Sequence, residues 1–476
     1  MTVDYGELPD QKILCIDMKS FYASCSAVIK GLDPLDCYLA VAGKLDRPGS
    51  VILAASPKLK KEFGIKTGSR LFEVPKDPKI LVVEPAMATY IRISTEITRL
   101  FHRYVPKDAI HTYSVDESFL KIDGTSHLWG DAHTIAWKIK QDIEREFQLP
   151  CAIGIGPNML MSKLCLDLEA KKHGVAEWTY EDVPEKLWSV SPLSEMWGIG
   201  RRLEKTLNRM GIFNVGQLAK YELQKLESKF GIMGNQLYYH AWGVDLSEIG
   251  APIMDGQVSF GKSQILLRDY KEEEEIKSVM LEICEEVARR TRNHRQAGRT
   301  ISLSIGYSQE EFGGGFNRSR SIEEPTNITM DLYKVCLQLF KENYNGKTVR
   351  SISISLSNLF PDESMQVSLF EPDRWKKREL GYVVDQIRHK YGSGALLRAI
   401  SYTAAGTAKH RATLVGGIRR RVKDRPSRSA LPPLAQPEGK AAQNLKSSRN
   451  SQIERERGDE HESRPWKDQV DLHDAA

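Results

Sequence analysis

Two adjacent acidic residues, Asp116 and Glu117, follow the segment Tyr113-Ser114-Val115 and lie between apolar runs. A third acid, Asp17, ends the apolar, strand-like run Ile13-Leu14-Cys15-Ile16. Like charges repel and each carboxylate loses water on burial, so such acids come together only where a cation compensates them. The pattern predicts a sheet whose separate strands deliver three carboxylates to one place.

Two divalent cations about 4 Å apart, held by such carboxylates, are what in-line phosphoryl or nucleotidyl transfer requires. Carboxylate oxygens are ligands that favour Mg²⁺. We therefore expect a site for two Mg²⁺ ions at these acids. Taken alone, an acidic pair after an apolar run also fits a solvated hairpin tip.

Composition limits the class of protein. A chain of 476 residues is long enough for about three domains. Its formal net charge of +5 is compatible with a polyanionic partner but does not establish one. Seven cysteines without a Cys-x-x-Cys pair, no signal-peptide core and no long apolar stretch predict a cytoplasmic protein that neither is secreted nor spans a membrane.

Three ordered motifs carry a family resemblance. The first is Ile16-Asp17-Met18-Lys19-Ser20-Phe21-Tyr22-Ala23-Ser24-Cys25, and the second is Tyr113-Ser114-Val115-Asp116-Glu117. The third runs from Gly154 to Leu164 and on to Ala170-Lys171-Lys172-His173-Gly174. Together they resemble the catalytic and palm-helix motifs of the Y-family translesion DNA polymerases, over about residues 10 to 415, and most closely the UmuC-like branch of Gram-positive bacteria.

The resemblance implies roles for individual residues. Asp17, Asp116, Glu117 and the backbone carbonyl of Met18 would bind the two Mg²⁺ ions. Tyr22 matches the aromatic steric gate, which would exclude a ribose 2′-hydroxyl and so select deoxynucleotides. Lys19 stands where many members carry a second Asp, a position that is not a required ligand.

The triphosphate contacts of the family fall on three lysines here. A fingers-helix Tyr and Arg correspond to Lys58 and Lys61, and a palm lysine corresponds to Lys171. Lysine keeps the charge of arginine but loses its bidentate fork, so this pocket departs from the common pattern. A helix that carries Lys58, Lys60 and Lys61 also fits a solvated basic face.

Alternating strand and helix patterns predict a multi-domain α/β chain, and the resemblance implies a right-hand polymerase plan. The expected parts are an α+β palm, small fingers, a helical thumb with a helix-hairpin-helix, a β-α-β-α-β little finger, a clamp-binding linker, a C-terminal helical extension and a disordered tail. Their predicted ranges are, in that order, 10–30 with 79–185, 31–78, 186–250, 255–360, 361–372, 373–416 and 417–476.

Two regions are predicted to bind DNA. The turn Gly198-Ile199-Gly200 before Arg201 would let backbone amides approach a phosphate at a helix start. The basic stretch that includes Arg292 and Arg295 suits phosphates, which bind by charge without reading sequence. The acidic run Glu272 to Glu275 is interpreted as the first turn of a helix rather than a metal site.

The segment Gln366-Val367-Ser368-Leu369-Phe370 resembles the bacterial sliding-clamp-binding peptide. Gln366 would enter a polar pocket of the clamp β subunit, and Leu369 and Phe370 an apolar one. An ordinary edge strand is the alternative. Clamp binding would raise the effective concentration of the protein at a primer end.

The hypothesis is an error-prone DNA polymerase that performs translesion synthesis on primer-template DNA, including damaged DNA, with dNTPs as substrates and as a monomer. No acidic constellation for proofreading is evident, and the resemblance suggests a role in damage-induced mutagenesis, the SOS response. A nucleotidyl cyclase is one alternative, but it does not explain the helix-hairpin-helix, the little-finger order and the clamp peptide together. A noncatalytic DNA-binding accessory protein is the other.

Overall fold

The computed structural model describes residues 3–251, 258–364, 373–415 and 418–419. The predicted clamp peptide with Gln366, Leu369 and Phe370 lies outside these residues, as do residues 420–476 of the predicted tail. Within the described ranges, none of the helices combines the length and apolar character that crossing a membrane requires.

The strands, in chain order, are β1 Ile13–Met18, β2 Leu39–Ala42, β3 Ile52–Ala55, β4 Leu81–Val83, β5 Ile110–Thr112, β6 Glu117–Lys121, β7 Cys151–Gly156, β8 Val175–Glu177, β9 Ser259–Tyr270, β10 Gln296–Tyr307, β11 Gly315–Thr326, β12 Val349–Pro361, β13 Leu414–Val415 and β14 Ile418–Arg419. The α-helices are α1 Phe21–Ile29, α2 Pro57–Phe63, α3 Met87–Phe101, α4 Ser126–Trp129, α5 Ala132–Phe147, α6 Met159–Cys165, α7 Lys171–His173, α8 Arg201–Arg209, α9 Val215–Ala219, α10 Leu223–Phe230, α11 Ile232–Ala241, α12 Glu273–Asn293, α13 Thr329–Asn343, α14 Arg374–Tyr391 and α15 Ala408–Arg411. They build three sheets of three or more strands and a helical segment between the first and the last of these sheets.

The first sheet has the strand order β5-β6-β1-β7-β8, with β1 at its centre. Strand β1 is antiparallel to both neighbours, β6 and β7. Its continuous apolar run is buried on both faces, because Ile13 and Cys15 enter one hydrophobic cluster while Leu14 and Ile16 enter another. Central placement of β1 therefore fixes where Asp17, its fifth residue, must lie.

Helix α6 packs unusually close to strand β7. A Cβ atom added at Gly154 would lie 2.3 Å from the carbonyl oxygen of Ser162, and one at Gly156 would lie 2.5 Å from the Ser162 nitrogen. These two glycines therefore permit the helix backbone to rest on the strand. Beyond α6 the chain continues through a π-helical turn, Leu166–Ala170, into α7.

A small sheet with the order β3-β2-β4 holds the Pro- and Gly-punctuated region. Its strands have three or four residues, as frequent turn residues predict. Helix α2 begins with Pro57 in its first turn and ends at Gly64, whose φ of 69° suits a glycine after a helix.

The last sheet has the order β11-β10-β12-β9, and helices α12 and α13 cover one of its faces. The predicted β-α-β-α-β order is wrong here because it lacks β11, so the structure has β-α-β-β-α-β. Gly313 and Gly314 lie in the connection between β10 and β11, and Gly315 is the first residue of β11. Strand β11 is polar and exposed along most of its length, so it lacks the apolar alternation that would have revealed it.

Helix α14, Arg374–Tyr391, lies within the predicted C-terminal helical extension. It lies against α12 through ion pairs, among them Arg388 with Glu285 at 3.0 Å. Farther along the extension, Thr407 and Ala408 donate their backbone amides to the buried carboxylate of Glu282 at 3.0–3.1 Å. The extension is thus joined to the last sheet and its helices.

Candidate active site

The backbone brings the predicted acidic residues to one edge of the first sheet. Asp17 and Glu117 are direct partners in the antiparallel pairing of β1 with β6. The amide of Met18 donates to the carbonyl of Asp116 at 3.0 Å, which ties the residue before Glu117 to the end of β1. Two chain segments far apart in sequence therefore meet at the three acids.

Each of the three carboxylates has its own partner within the protein. Asp17 Oδ2 lies 2.9 Å from Lys171 Nζ, and Glu117 Oε1 lies 2.6 Å from Lys163 Nζ. Asp116 Oδ1 accepts a hydrogen bond from Ser114 Oγ at 2.6 Å. Among the residues that the structure describes, no three acidic, His or Cys side chains converge closely enough to form a preassembled metal cage.

Burial dominates the electrostatics of Asp17. Loss of water raises the pKa of this carboxyl, Lys171 opposes the rise, and the charges of Asp116 and Glu117 add to it. Burial lowers the pKa of Lys171, but the charges of Asp17 and Asp167 outweigh this effect and raise that pKa overall. The charges of Asp116 and Glu117 thus disfavour the ionised form of Asp17, and Lys171 offsets part of that effect.

The donor set fits magnesium in its chemistry. Three carboxylates and a main-chain carbonyl supply only hard oxygen ligands, which is the set that Mg²⁺ prefers. The carboxylates lie at adjacent register positions and carry a net negative charge that a divalent cation would compensate.

Tyr22 lies in the first turn of α1 and faces this site. Its ring stacks on the fully buried Tyr90 with centroids 4.7 Å apart and an interplanar angle of 14°. The hydroxyl of Tyr90 is in turn hydrogen-bonded to Ser26 at 2.6 Å. Burial raises the pKa of Tyr22, and the nearby charge of Asp116 contributes to the rise. The ring is therefore rigidly supported next to the acids.

The three lysines predicted to bind triphosphate fall in different places. Lys171 is in contact with Asp17, as described above. Lys58 forms an ion pair with Asp36 at 2.7 Å and lies over the ring of Tyr38, and its contact with a triphosphate stays a prediction. Lys61 is exposed on α2.

Lys60, which the sequence analysis did not assign to triphosphate binding, is the α2 lysine directed at the site. Its Nζ donates to Ser20 Oγ at 2.8 Å, at the turn that leads from β1 into α1. Burial lowers the pKa of Lys60, with Asp17 opposing and Lys171 adding to the shift. Lys60 and not Lys58 therefore reaches this turn, a difference that the three similar lysines of α2 do not reveal in the sequence.

The predicted phosphate-binding turn is open. A Cβ atom at Gly198, whose φ is 93°, or at Gly200 would meet no atom within 4 Å. Gly200 caps helix α8, and the exposed Arg201 is the first residue of that helix. The positive φ explains the glycine at 198, whereas packing gives no reason for the glycine at 200, and a phosphate contact at this turn stays a prediction.

The two arginines of the predicted basic stretch, Arg292 and Arg295, have different surroundings. Arg292 is only 2 % exposed, pairs with Asp385 at 2.7 Å and donates to the carbonyl of Asn327 at 2.7 Å. The prediction of a phosphate contact for Arg292 is therefore wrong, because its guanidinium is buried and already paired within the protein. Arg295 lies over the ring of Tyr382, at 5.2 Å from the guanidinium carbon to the ring centroid.

Three family models match successive stretches of the chain. The family model of the impB/mucB/samB family matches residues 16–167, and the model of its C-terminal domain matches residues 257–369. A third model, the IMS family HHH motif, matches residues 180–212. These matches cover most of the first sheet, the glycine turn with helix α8, and the last sheet.

Relatives match over nearly their whole length. UvrX of Bacillus subtilis (strain 168), a protein provisionally assigned to UV-damage repair, is 64% identical over 417 residues, which are 87% of this chain and 99% of the relative. DNA polymerase IV 2 of the same organism is 39% identical over 416 residues, 86% of this chain and 99% of the relative.

A solved structure has the same fold. A Y-family DNA polymerase chimera of Dbh and Dpo4 superposes with a TM-score of 0.57 at 19% sequence identity, covering 73% of this chain and 99% of that chain. The chain is a multi-domain α/β protein with the predicted right-hand polymerase architecture. It belongs to the Y family of DNA polymerases, which confirms the family resemblance of its motifs.

Proposed function

We propose that this protein is a Mg²⁺-dependent, template-directed DNA polymerase that synthesises across damaged template bases. The observation that carries the proposal is the pairing of Asp17 with Glu117 on adjacent strands, with Asp116 bound to Met18 beside them. In the reaction the primer 3′-oxygen attacks the α-phosphorus of an incoming deoxynucleoside triphosphate. A new phosphodiester bond forms, the bond to the β-phosphate oxygen breaks, and pyrophosphate leaves.

Asp17, Asp116, Glu117 and the carbonyl of Met18 would hold two Mg²⁺ ions. The ions, when bound, supply activation of the attacking oxygen and stabilisation of the leaving oxygen. The protein's part is to present these oxygens on strands that the surrounding core keeps rigid. Lys171 contacts Asp17, and Lys60 is close enough for the charge of Asp17 to affect its pKa, so both ammonium groups would supply positive charge for the triphosphate.

Tyr22 is proposed as the group that excludes ribonucleotides. Its ring is supported by Tyr90 and cannot retreat without disturbing a fully buried side chain. A ribose 2′-hydroxyl placed against the ring would therefore clash, whereas a deoxyribose would fit. No additional acid site for proofreading is assigned, so we expect low fidelity.

The proposed partners are primer-template DNA and the bacterial sliding clamp. The Gly198–Gly200 turn and Arg201 would contact DNA phosphates. Gln366, Leu369 and Phe370 would bind the clamp β subunit by one extended peptide. We propose that the protein acts as a monomer on DNA.

A second candidate is a noncatalytic DNA-binding accessory protein. The observation that favours it is that Lys171 and Lys163 already neutralise two of the three acids without a metal. A permanently neutralised site would be a scaffold and not a catalyst.

Primer extension distinguishes the two candidates. Purified protein with MgCl₂, dNTPs and a primed template, intact or carrying a UV-induced lesion, is compared with Asp116→Asn and with the exposed control Glu185→Gln. We expect extension past the lesion by the wild type and by Glu185→Gln, and none by Asp116→Asn. Equal extension by Asp116→Asn, or no extension by any of the three with the sliding clamp added, would contradict the proposal.

A further inference from the structure

Five side chains of the candidate site form one row of alternating charges. From Glu117 the row passes to Lys163 at 2.6 Å, and from Lys163 to Asp167 at 3.1 Å. Asp167 contacts Lys171 at 2.8 Å, and Lys171 contacts Asp17 at 2.9 Å. Asp167 is thus the shared partner of the two lysines that hold the two strand-borne acids.

The helix geometry that builds this row is irregular. Lys163, Asp167 and Lys171 are separated by four residues each, and steps of four exceed the 3.6 residues of an α-helical turn. Three such positions would drift around a regular helix. The wider π-helical turn at Leu166–Ala170 takes up the excess, so all three side chains lie on one face.

The row places Lys171 between two anions. On one side is Asp17, a proposed metal ligand, and on the other is Asp167, which is not a ligand and belongs to the same helical segment. The side chain of Lys171 is 41% exposed, so it has room to move, whereas that of Lys163 is 9% exposed and has little. Of the two lysines, only Lys171 is therefore suited to leave its acid.

We propose that Lys171 is a placeholder cation, which pairs with Asp17 in the free protein and transfers to the triphosphate when a nucleotide binds, while Asp167 anchors it throughout. The inference rests on the proposed polymerase function. Transfer of the ammonium uncovers Asp17 for a divalent cation, so nucleotide and metal bind with positive coupling. Asp167 is a positioning residue in this scheme, since it touches neither metal nor nucleotide.

The scheme makes the ammonium and the divalent cation competitors for Asp17 in the free protein. The readout is Mn²⁺ binding to the full-length protein without DNA or nucleotide, followed by electron paramagnetic resonance. Lys171→Met removes the competitor, and we expect Mn²⁺ to bind more tightly by about fivefold or more. Lys172→Met changes the same charge on the adjacent exposed residue and serves as the matched control, with an expected change of less than about twofold.

Asp167→Asn tests the anchor. Without Asp167 the whole charge of Lys171 falls on Asp17, so Mn²⁺ should bind more weakly than to the wild type. In the Lys171→Met background no ammonium remains at position 171, so Asp167→Asn should weaken Mn²⁺ binding much less. The four proteins form a double-mutant cycle, which isolates the interaction between the two side chains. A general loss of negative charge would instead weaken Mn²⁺ binding equally in both backgrounds.

Equal Mn²⁺ affinities for Lys171→Met and Lys172→Met, or additive effects in the cycle, would overturn the proposal. Thermal melting of each variant verifies that the protein is folded. The outcome is independent of primer extension. If the cycle gives the expected coupling but no variant or wild-type protein extends a primer, the ion exchange stands and the polymerase proposal fails.

Discussion

Arg292 and Asp385 join the C-terminal extension to helix α12, and breaking this pair should release the extension. The side chains are 2 % and 9 % exposed, and two nitrogens of the guanidinium bind the two carboxylate oxygens at 2.7 and 3.2 Å. Arg292→Met leaves Asp385 charged, buried and without its partner. Removing one member of a buried ion pair costs about 3–5 kcal/mol.

The cost should be local. Helix α14 buries no residue fully, so the ion pairs make up much of its attachment. A free-energy change of about 1.4 kcal/mol alters an equilibrium constant tenfold. The loss of this pair should therefore raise the equilibrium constant for opening of α14 by about two to four powers of ten. Amide hydrogen exchange across Arg374–Tyr391, measured on the full chain, reports this opening directly.

The matched variant replaces both partners. Arg292→Met combined with Asp385→Leu leaves no unpaired buried charge, so exchange in α14 should return most of the way to the wild-type rate. Unchanged exchange in Arg292→Met, together with weaker DNA binding and a smaller salt dependence, would refute the reasoning and restore Arg292 as a phosphate contact.

Three further results are expected. Gly154→Ala should lower the melting temperature and the free energy of unfolding, the latter by about 1–3 kcal/mol or more, because the added Cβ would lie 2.3 Å from the carbonyl oxygen of Ser162. Gly49→Ala is the control, since its added Cβ would meet no atom within 4 Å. Tyr22→Ala should raise ribonucleotide incorporation in primer extension while Tyr22→Phe does not, and equal selectivity of the two would exclude Tyr22 as the gate. Burial lowers the pKa of His240, so the unfolded chain binds more protons and stability should fall as pH drops below about 6.5; His240→Gln should flatten that fall in acid melting curves.

The acid site was predictable because its determinants are local. A run of apolar residues before Asp17, and another after Glu117, defines two buried strands whose pairing leaves little choice of register. The close packing behind them was also encoded, in Gly154 and Gly156, although only the structure shows how near Ser162 comes to each.

Other features depend on side-chain direction or on long-range partners. Lys58, Lys60 and Lys61 are alike in sequence, and only the phase of α2 decides that Lys60 reaches Ser20 while Lys58 turns to Asp36. Strand β11 is an exposed edge strand, for which apolar periodicity gives no signal.

Whether a charged side chain is exposed or buried is also hard to predict from the sequence, as Arg292 shows. In the sequence it is one of several arginines in a basic stretch, and such a stretch usually indicates an exposed face. Its partner Asp385 is 93 residues away in a segment that the sequence leaves without a role. Burial of the pair follows from that tertiary contact, and no local pattern reveals it.

The central claim is that Asp17, Asp116 and Glu117 serve template-directed nucleotide addition. The most direct measurement is single-nucleotide incorporation onto a primed template with MgCl₂, using each of the four template bases and each dNTP in turn. We predict that the preferred dNTP follows the template base, that omission of Mg²⁺ abolishes the product, and that Asp116→Asn abolishes it while Glu185→Gln does not. Incorporation that ignores the template base, or that survives in Asp116→Asn, would contradict the account.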